Sequence, residues 1–181
     1  MEKLKVLKFS KIAILDRDGV LNFNNIKNGY IGYRKYFKWY PGAKKTIKYL
    51  KSLNYKVIVV TNQSGVARNY FSYQNVVNLH KSIQIDLKKS GTKIDNFFFC
   101  PHHAEGIIKR YKKKCNCRKP KIGLFKKIQR IYKVDKRNSF MIGDQESDIK
   151  FAQNAGIKSF LFKKKNLYKF ILDLPIYVEK D

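Results

Sequence analysis

Ile12-Ala13-Ile14-Leu15 runs straight into Asp16-Arg17-Asp18-Gly19-Val20-Leu21-Asn22. A short apolar run bounded by turn residues is what a fully buried strand looks like. Its C-terminal end would then carry two carboxylates, two residues apart. Open α/β sheets place their reactive groups at that edge. Side chains alternate along a strand and diverge where it ends, so Asp16 and Asp18 can reach one small site from different angles. A carboxylate pair beside a flexible glycine suits a magnesium ion and a phosphate. One carboxylate would attack and the other would handle the leaving group's proton. The plainer alternative for the same residues is a strand followed by an Asp-Gly turn.

Two more segments repeat the pattern of apolar strand and polar ending. Val57-Ile58-Val59-Val60 leads into Thr61-Asn62-Gln63-Ser64-Gly65, and Phe140-Met141-Ile142-Gly143 leads into Asp144-Gln145-Glu146-Ser147-Asp148. Arg118-Lys119-Pro120 lies between them. The order Asp-x-Asp, Thr, Lys, Gly-Asp-x-x-x-Asp resembles the haloacid dehalogenase superfamily of phosphohydrolases, over roughly residues 12–162.

Strand and helix alternate along the chain, which predicts an α/β fold: a Rossmann-like parallel sheet with helices on both faces. Strands are expected at 12–15, 56–60, 96–99, 139–142 and 158–162. Helices are expected from Ala43 to about 53, from a Ser72 cap through Lys89 with Gly91 as the stop, at 122–132, and at 146–154 before Gly156. Residues 22–40 read as an aromatic-rich loop and 100–118 as an insertion. The segment after Lys163 is left open between a short helix and strand or a solvated tail. No segment is long enough to form a large second domain over the site. The expected architecture is one nearly capless domain over 1–181, with loops shaping the pocket.

Every cysteine lies in the insertion. Cys100-Pro101-His102-His103 and Cys115-Asn116-Cys117 together can give four ligands to a tetrahedral zinc. One-residue spacing puts Cys100 and His102 on the same side of an extended segment, so His102 rather than His103 is the expected ligand. Four protein ligands leave no open position, so this zinc would be structural. The loop ends at Cys117, directly before Arg118 and Lys119, and would hold both cations against the site. His80 falls mid-helix with no partner motif and reads as an ordinary surface or core histidine.

Within the superfamily the chain resembles the D-glycero-D-manno-heptose 1,7-bisphosphate phosphatases. The resemblance is carried by Asp16-Arg17-Asp18-Gly19, Asn22, Gly29-Tyr30, Thr61-Asn62-Gln63-Ser64-Gly65-Val66-Ala67-Arg68, the two cysteine segments, Arg118-Lys119-Pro120-Lys121 and Gly143-Asp144. It implies removal of the C7 phosphate through an aspartyl-phosphate, in nucleotide-activated heptose synthesis. It implies Asp16 as nucleophile and Asp18 as general acid and base. Thr61 and Lys119 would stabilise the transferring phosphoryl group. Magnesium would bind the Asp16 and Asp144 carboxylates and the Asp18 carbonyl. Asn62, Gln63, Ser64, Arg68, Arg118, Lys119, Asn24 and Tyr30 would contact substrate. Asp148 would be either a helix-surface carboxylate or a partner of Lys119. Many relatives carry Lys where this chain has Gln145, and the stretch from Asn24 to 28 is a few residues longer than usual.

The sister reading is a histidinol-phosphate phosphatase, which shares the carboxylates and the zinc knot. Gln63-Ser64-Gly65 in place of Gln-Asp-Gly, and twelve residues between His102 and Cys115, favour the heptose branch. Two further alternatives are a nucleic-acid 3′-phosphatase and a zinc-organised binding module without catalysis.

The formal charge of +27 over 181 residues favours anionic partners. The lysines are spread along the whole chain, however, and look like the coding bias of an AT-rich genome, so nucleic-acid binding is not expected. No apolar run approaches the roughly 20 residues of a membrane span. Residues 1–8 lack the apolar core of a signal peptide. The expectation is a cytoplasmic monomer acting on a small sugar phosphate, with catalytic Mg2+ and structural Zn2+.

Overall fold

The computed structural model of the protein describes residues 9–24 and 30–176. Gly29 and most of the long stretch after Asn24 lie outside the described residues, as do residues 1–8.

Five strands make one parallel sheet: β1 (Ile12–Leu15), β2 (Lys56–Asn62), β3 (Asn96–Cys100), β4 (Phe140–Gly143) and β5 (Lys158–Leu161). Their order is β3-β2-β1-β4-β5. The chain winds outward from β1 to one side, then returns to β1's other edge and winds outward again. That reversal opens a crevice beyond the C-terminal ends of the central strands. Leu15 pairs with Val59 on one side and Ile142 on the other. Asp16, Thr61 and Asp144 therefore emerge beside one another.

Strand alternation divides the core in two. Ala13, Leu15, Val57, Val59, Phe140 and Ile142 pack against α1 (Ala43–Ser52), α2 (Tyr73–Lys89) and α5 (Leu167–Leu172). Ile12, Ile14, Ile58, Val60 and Met141 pack against α3 (Gly123–Gln129) and α4 (Glu146–Ala155). Both faces of the central strands are covered, so β1, β4 and the middle of β2 read as unbroken apolar runs.

Two differences from the sequence reading, and one point it left open, have physical causes. β2 runs on to Asn62, because Thr61 and Asn62 pair with Phe99 and Cys100. α3 is shorter than expected. Beyond Gln129 the amides of Ile131 and Tyr132 both turn back to the Ile128 carbonyl, and Ile131 finds no core to join. The segment after Lys163 forms α5, because Leu167, Phe170 and Ile171 complete the first core face and the Asn166 side chain caps the helix. α2 starts as expected: Ser72 and Asn75 exchange hydrogen bonds in a capping box.

Candidate active site

Asp16 is the first residue past β1, and its amide is held by the Ile142 carbonyl at 2.9 Å. Its Oδ1 accepts from the Arg17 amide at 2.8 Å and pairs with Lys119 Nζ at 2.9 Å. Lys119 Nζ also reaches Asp148 Oδ1 at 2.6 Å and the Val60 carbonyl at 2.8 Å. One hydrogen bond and two ion pairs thus hold the ammonium group. Burial alone would pull the Lys119 proton off, but the Asp16 and Asp148 carboxylates outweigh it and hold the affinity above the ordinary lysine value. Asp16 is pushed up to about 7, chiefly by burial, with Lys119 opposing and Asp148 and Asp144 reinforcing.

The start of α4 supplies the other carboxylates. Asp148 is fully buried, and its Oδ2 accepts from the Gln145 amide at 3.1 Å, so it is no surface residue. A Cβ on Gly143 would come 2.1 Å from the Asp148 Cβ, so only glycine lets the helix turn in this closely. Gly19 meets the site in the same way: its φ is +89°, and a Cβ there would lie 2.2 Å from Asp144 Oδ2. Burial also raises the proton affinity of Asp144. Gln145 donates to Asp144 Oδ2 at 2.8 Å, and Lys163 donates to the Asp144 carbonyl at 3.2 Å.

Ligand oxygens of Asp16, Asp144 and Asp148 lie within 4.8 Å of one another. Asp148 is committed to Lys119, whereas Asp144 Oδ1 is buried without a hydrogen-bond partner. An unsatisfied buried carboxylate oxygen beside a second carboxylate is a fitting site for a hard divalent cation.

The pocket above these groups has a volume of about 450 Å³. Asp16, Asp18, Thr61, Asn62, Lys119 and Asp144 line it, with Asn24, Tyr30 and Arg118 at its wall. Asn62 clamps Lys119 through both backbone groups: Oδ1 accepts from the Lys119 amide at 3.0 Å and Nδ2 donates to its carbonyl at 3.3 Å. Arg118 Nη1 is buried without a partner, which leaves a guanidinium edge ready for an anion.

Three expected substrate contacts do not line the pocket. Gln63 is fully buried and engaged with Arg17, Asp18 and Thr61. Ser64 is fully buried and bonded to the Tyr30 hydroxyl at 2.9 Å. Arg68 is drawn aside to His103, with Nη2 3.0 Å from Nε2. The Asp18 carboxylate stands apart from the other three. Its oxygens take donors from Arg17, Asn22 and Gln63.

The cysteines and His102 form a second cluster. Sulfur–sulfur separations are 3.5 Å for Cys100–Cys115, 3.1 Å for Cys100–Cys117 and 3.4 Å for Cys115–Cys117. His102 Nδ1 is 3.2 Å from Cys117 Sγ and 3.8 Å from Cys100 Sγ. A tetrahedron with 2.3 Å metal–sulfur bonds has edges of roughly 3.8 Å, so this donor set is close to the size of a zinc site. All three cysteines are free thiols. The hydrogen bond from Cys100 pulls Cys117 down to about 5, which favours the thiolate a metal needs. His103 turns away, toward Glu105 and Arg68. The Gln63 amide binds the Cys100 carbonyl at 2.8 Å, so this loop is tied directly to the pocket.

The sequence is 39% identical over 168 residues, 93% of this chain and 92% of the relative, to the D-glycero-beta-D-manno-heptose-1,7-bisphosphate 7-phosphatase of Rhodopseudomonas palustris. The chain belongs to the heptose-1,7-bisphosphate 7-phosphatase family. A family relative of the alpha anomer, from Photorhabdus laumondii, is 36% identical, with 84% of this chain and 82% of that one covered. The family model described as HAD-hydrolase-like matches residues 116–166. Among solved structures, the family's D,D-heptose 1.7-bisphosphate phosphatase from B. bronchiseptica, complexed with magnesium and phosphate, superposes with a TM-score of 0.75. It is 30% identical and the match covers 92% of this chain and 88% of that one.

Sequence reasoning passed over the fully buried Arg17 and its contact with His80 Nε2 at 3.2 Å. The signal was present: His80 shares the buried stripe of α2 with Val76, Leu79, Ile83 and Leu87. A polar residue on an apolar stripe needs a partner.

Proposed function

We propose that the chain is a magnesium-dependent phosphatase that removes the C7 phosphate of D-glycero-D-manno-heptose 1,7-bisphosphate and leaves heptose 1-phosphate. The observation that carries this reading is Asp16 at the pocket floor, between the Lys119 ammonium and the unpartnered Asp144 oxygen. Family membership supports the choice of sugar.

Asp16 Oδ1 is held by Lys119 and the Arg17 amide, which leaves Oδ2 to attack phosphorus. The bond from Oδ2 to phosphorus forms as the bond to the C7 oxygen breaks, and that oxygen takes its proton from Asp18, which has to release donors of Arg17, Asn22 and Gln63 to carry it. A water then attacks the aspartyl-phosphate, gives its proton to Asp18, and frees Asp16 and inorganic phosphate. Lys119 and the Thr61 hydroxyl face the charge that develops on the phosphoryl oxygens, with Asn62 fixing Lys119 in place. Arg118 supplies a contact for substrate phosphate. Asp16, Asp144 and the Asp18 carbonyl would hold magnesium, which neutralises the repulsion between two anions. Cys100, His102, Cys115 and Cys117 would hold a structural zinc that braces the loop before Arg118. Asn24 and Tyr30 would border the sugar. Gln63, Ser64 and Arg68 would act through their neighbours rather than by direct contact. The chain would work as a monomer in the cytoplasm, where its thiols stay reduced.

The test is kcat/KM for phosphate release with magnesium from both anomers of heptose 1,7-bisphosphate and from histidinol phosphate. One heptose anomer should be preferred by at least about 10²-fold over histidinol phosphate, because the second phosphate has a cation waiting for it. A clear preference for histidinol phosphate would move the enzyme to the sister family.

A further inference from the structure

Arg17 lies between the two aspartates of the first motif, yet it points away from the pocket into the core. A guanidinium has donors and no acceptor, so every polar atom it faces must accept. Nε and Nη2 reach Asp18 Oδ1 and Oδ2 at 3.0 and 2.8 Å. Gln63 Oε1 at 2.9 Å and the Ile31 carbonyl also face Nη2, whose two hydrogens the three acceptors share. Nη1 faces His80 Nε2 at 3.2 Å.

This one-way character settles two assignments. His80 Nε2 is the bare nitrogen, so the ring is neutral with its proton on Nδ1. Burial and the Arg17 charge act in the same sense, holding its proton affinity well below the ordinary histidine value. Gln63 must turn its amide oxygen to Arg17, which aims its NH2 group the other way. That group donates to Asp18 Oδ2 at 2.8 Å and to Thr61 Oγ1 at 3.0 Å. A threonine hydroxyl has one hydrogen. With its oxygen accepting from Gln63, that hydrogen is left over, and among the described residues nothing accepts it. Thr61 lines the pocket, where a phosphoryl oxygen would take it.

We propose that Gln63, locked by Arg17 and His80, is a positioning residue that makes Thr61 an obligate hydrogen donor to the bound phosphoryl group. The same amide steadies Asp18 at the pocket edge. The inference rests on the phosphatase reading but not on the identity of the sugar, so its test uses an activated aryl phosphomonoester with magnesium.

Phosphate release is measured for Gln63→Glu and Gln63→Met, each with Thr61 intact and with Thr61→Val. Glutamate keeps the Arg17 contact but can only accept, so Thr61 must spend its hydrogen on it. Methionine neither donates nor accepts there. With Thr61 intact, Gln63→Glu should lower kcat/KM about 10²-fold and Gln63→Met about tenfold. With Thr61→Val the two should agree within about threefold, because no hydroxyl remains to be misdirected. A gap that survives undiminished beside valine would mean charge repulsion alone, and would overturn the proposal. Wild-type kcat/KM in Gln63→Glu would also overturn it. If circular dichroism shows Gln63→Glu unfolded, the Gln63→Met pair decides: its loss must shrink beside valine to what the lost Asp18 contact leaves, and losses that multiply reject the idea. Wild-type turnover of the aryl ester without turnover of heptose bisphosphate would sink the sugar assignment and leave this comparison standing.

Discussion

At the scale of single residues, the proposed role of Asp16 as metal ligand and nucleophile ties metal binding to a proton. Burial lifts it to about 7, far above the ordinary 3.8. Between those values the folded chain binds a proton that the unfolded chain does not, so this group's contribution to metal-free stability falls as pH rises from about 4 to 7. Magnesium bound at Asp16 would have to displace that proton. The metal's affinity, measured by titration calorimetry, should be about tenfold weaker at pH 6 than at pH 8, as linkage through one group near 7 requires. Asp16→Asn should fold, turn over at least about 10⁴-fold more slowly, and lose that pH dependence. Affinity that stays flat from pH 6 to 8 in the wild type would remove Asp16 from the metal's ligands. Asp16, Thr61 and Asp144 were legible because each directly follows or ends an apolar run, and strand ends meet at one edge. Arg17, His80 and Gln63 were not read as a unit. Separations of 46 and 63 residues carry no local pattern, and only the packing of α2 on the sheet brings them together.

At the scale of elements, the cysteine loop and β2 work as one piece. Cys100 ends β3 in register with Asn62, and Asn62 in turn clamps the backbone of Lys119. A metal at Cys100, His102, Cys115 and Cys117 would therefore fix both ends of the segment that carries Arg118 and Lys119. Cys117→Ser should lose bound zinc by elemental analysis and lower kcat/KM by about tenfold or more, together with the melting temperature. Full activity in zinc-free protein would show that the loop does not position Lys119. The strand and helix order was readable from apolar runs and caps. The boundary errors sit where tertiary contacts override local pattern. β2 gains two residues from pairing with β3, and α3 stops where Ile131 has nothing to pack against.

At the scale of the whole molecule, the sheet order explains how strand ends far apart in sequence build one pocket. The winding reverses at β1, so the crevice at its end receives groups from β1, β2, β4 and the loop after β3. Among the described residues no helix is long and apolar enough to cross a membrane. The formal net charge of +27 favours approach of an anionic substrate to the molecule as a whole. The most direct measurement is phosphorus NMR of heptose 1,7-bisphosphate during turnover with magnesium. The C7 phosphomonoester signal should disappear as inorganic phosphate grows, while the C1 signal persists as heptose 1-phosphate. Loss of the C1 phosphate first, or no phosphate release from either position, would contradict the account.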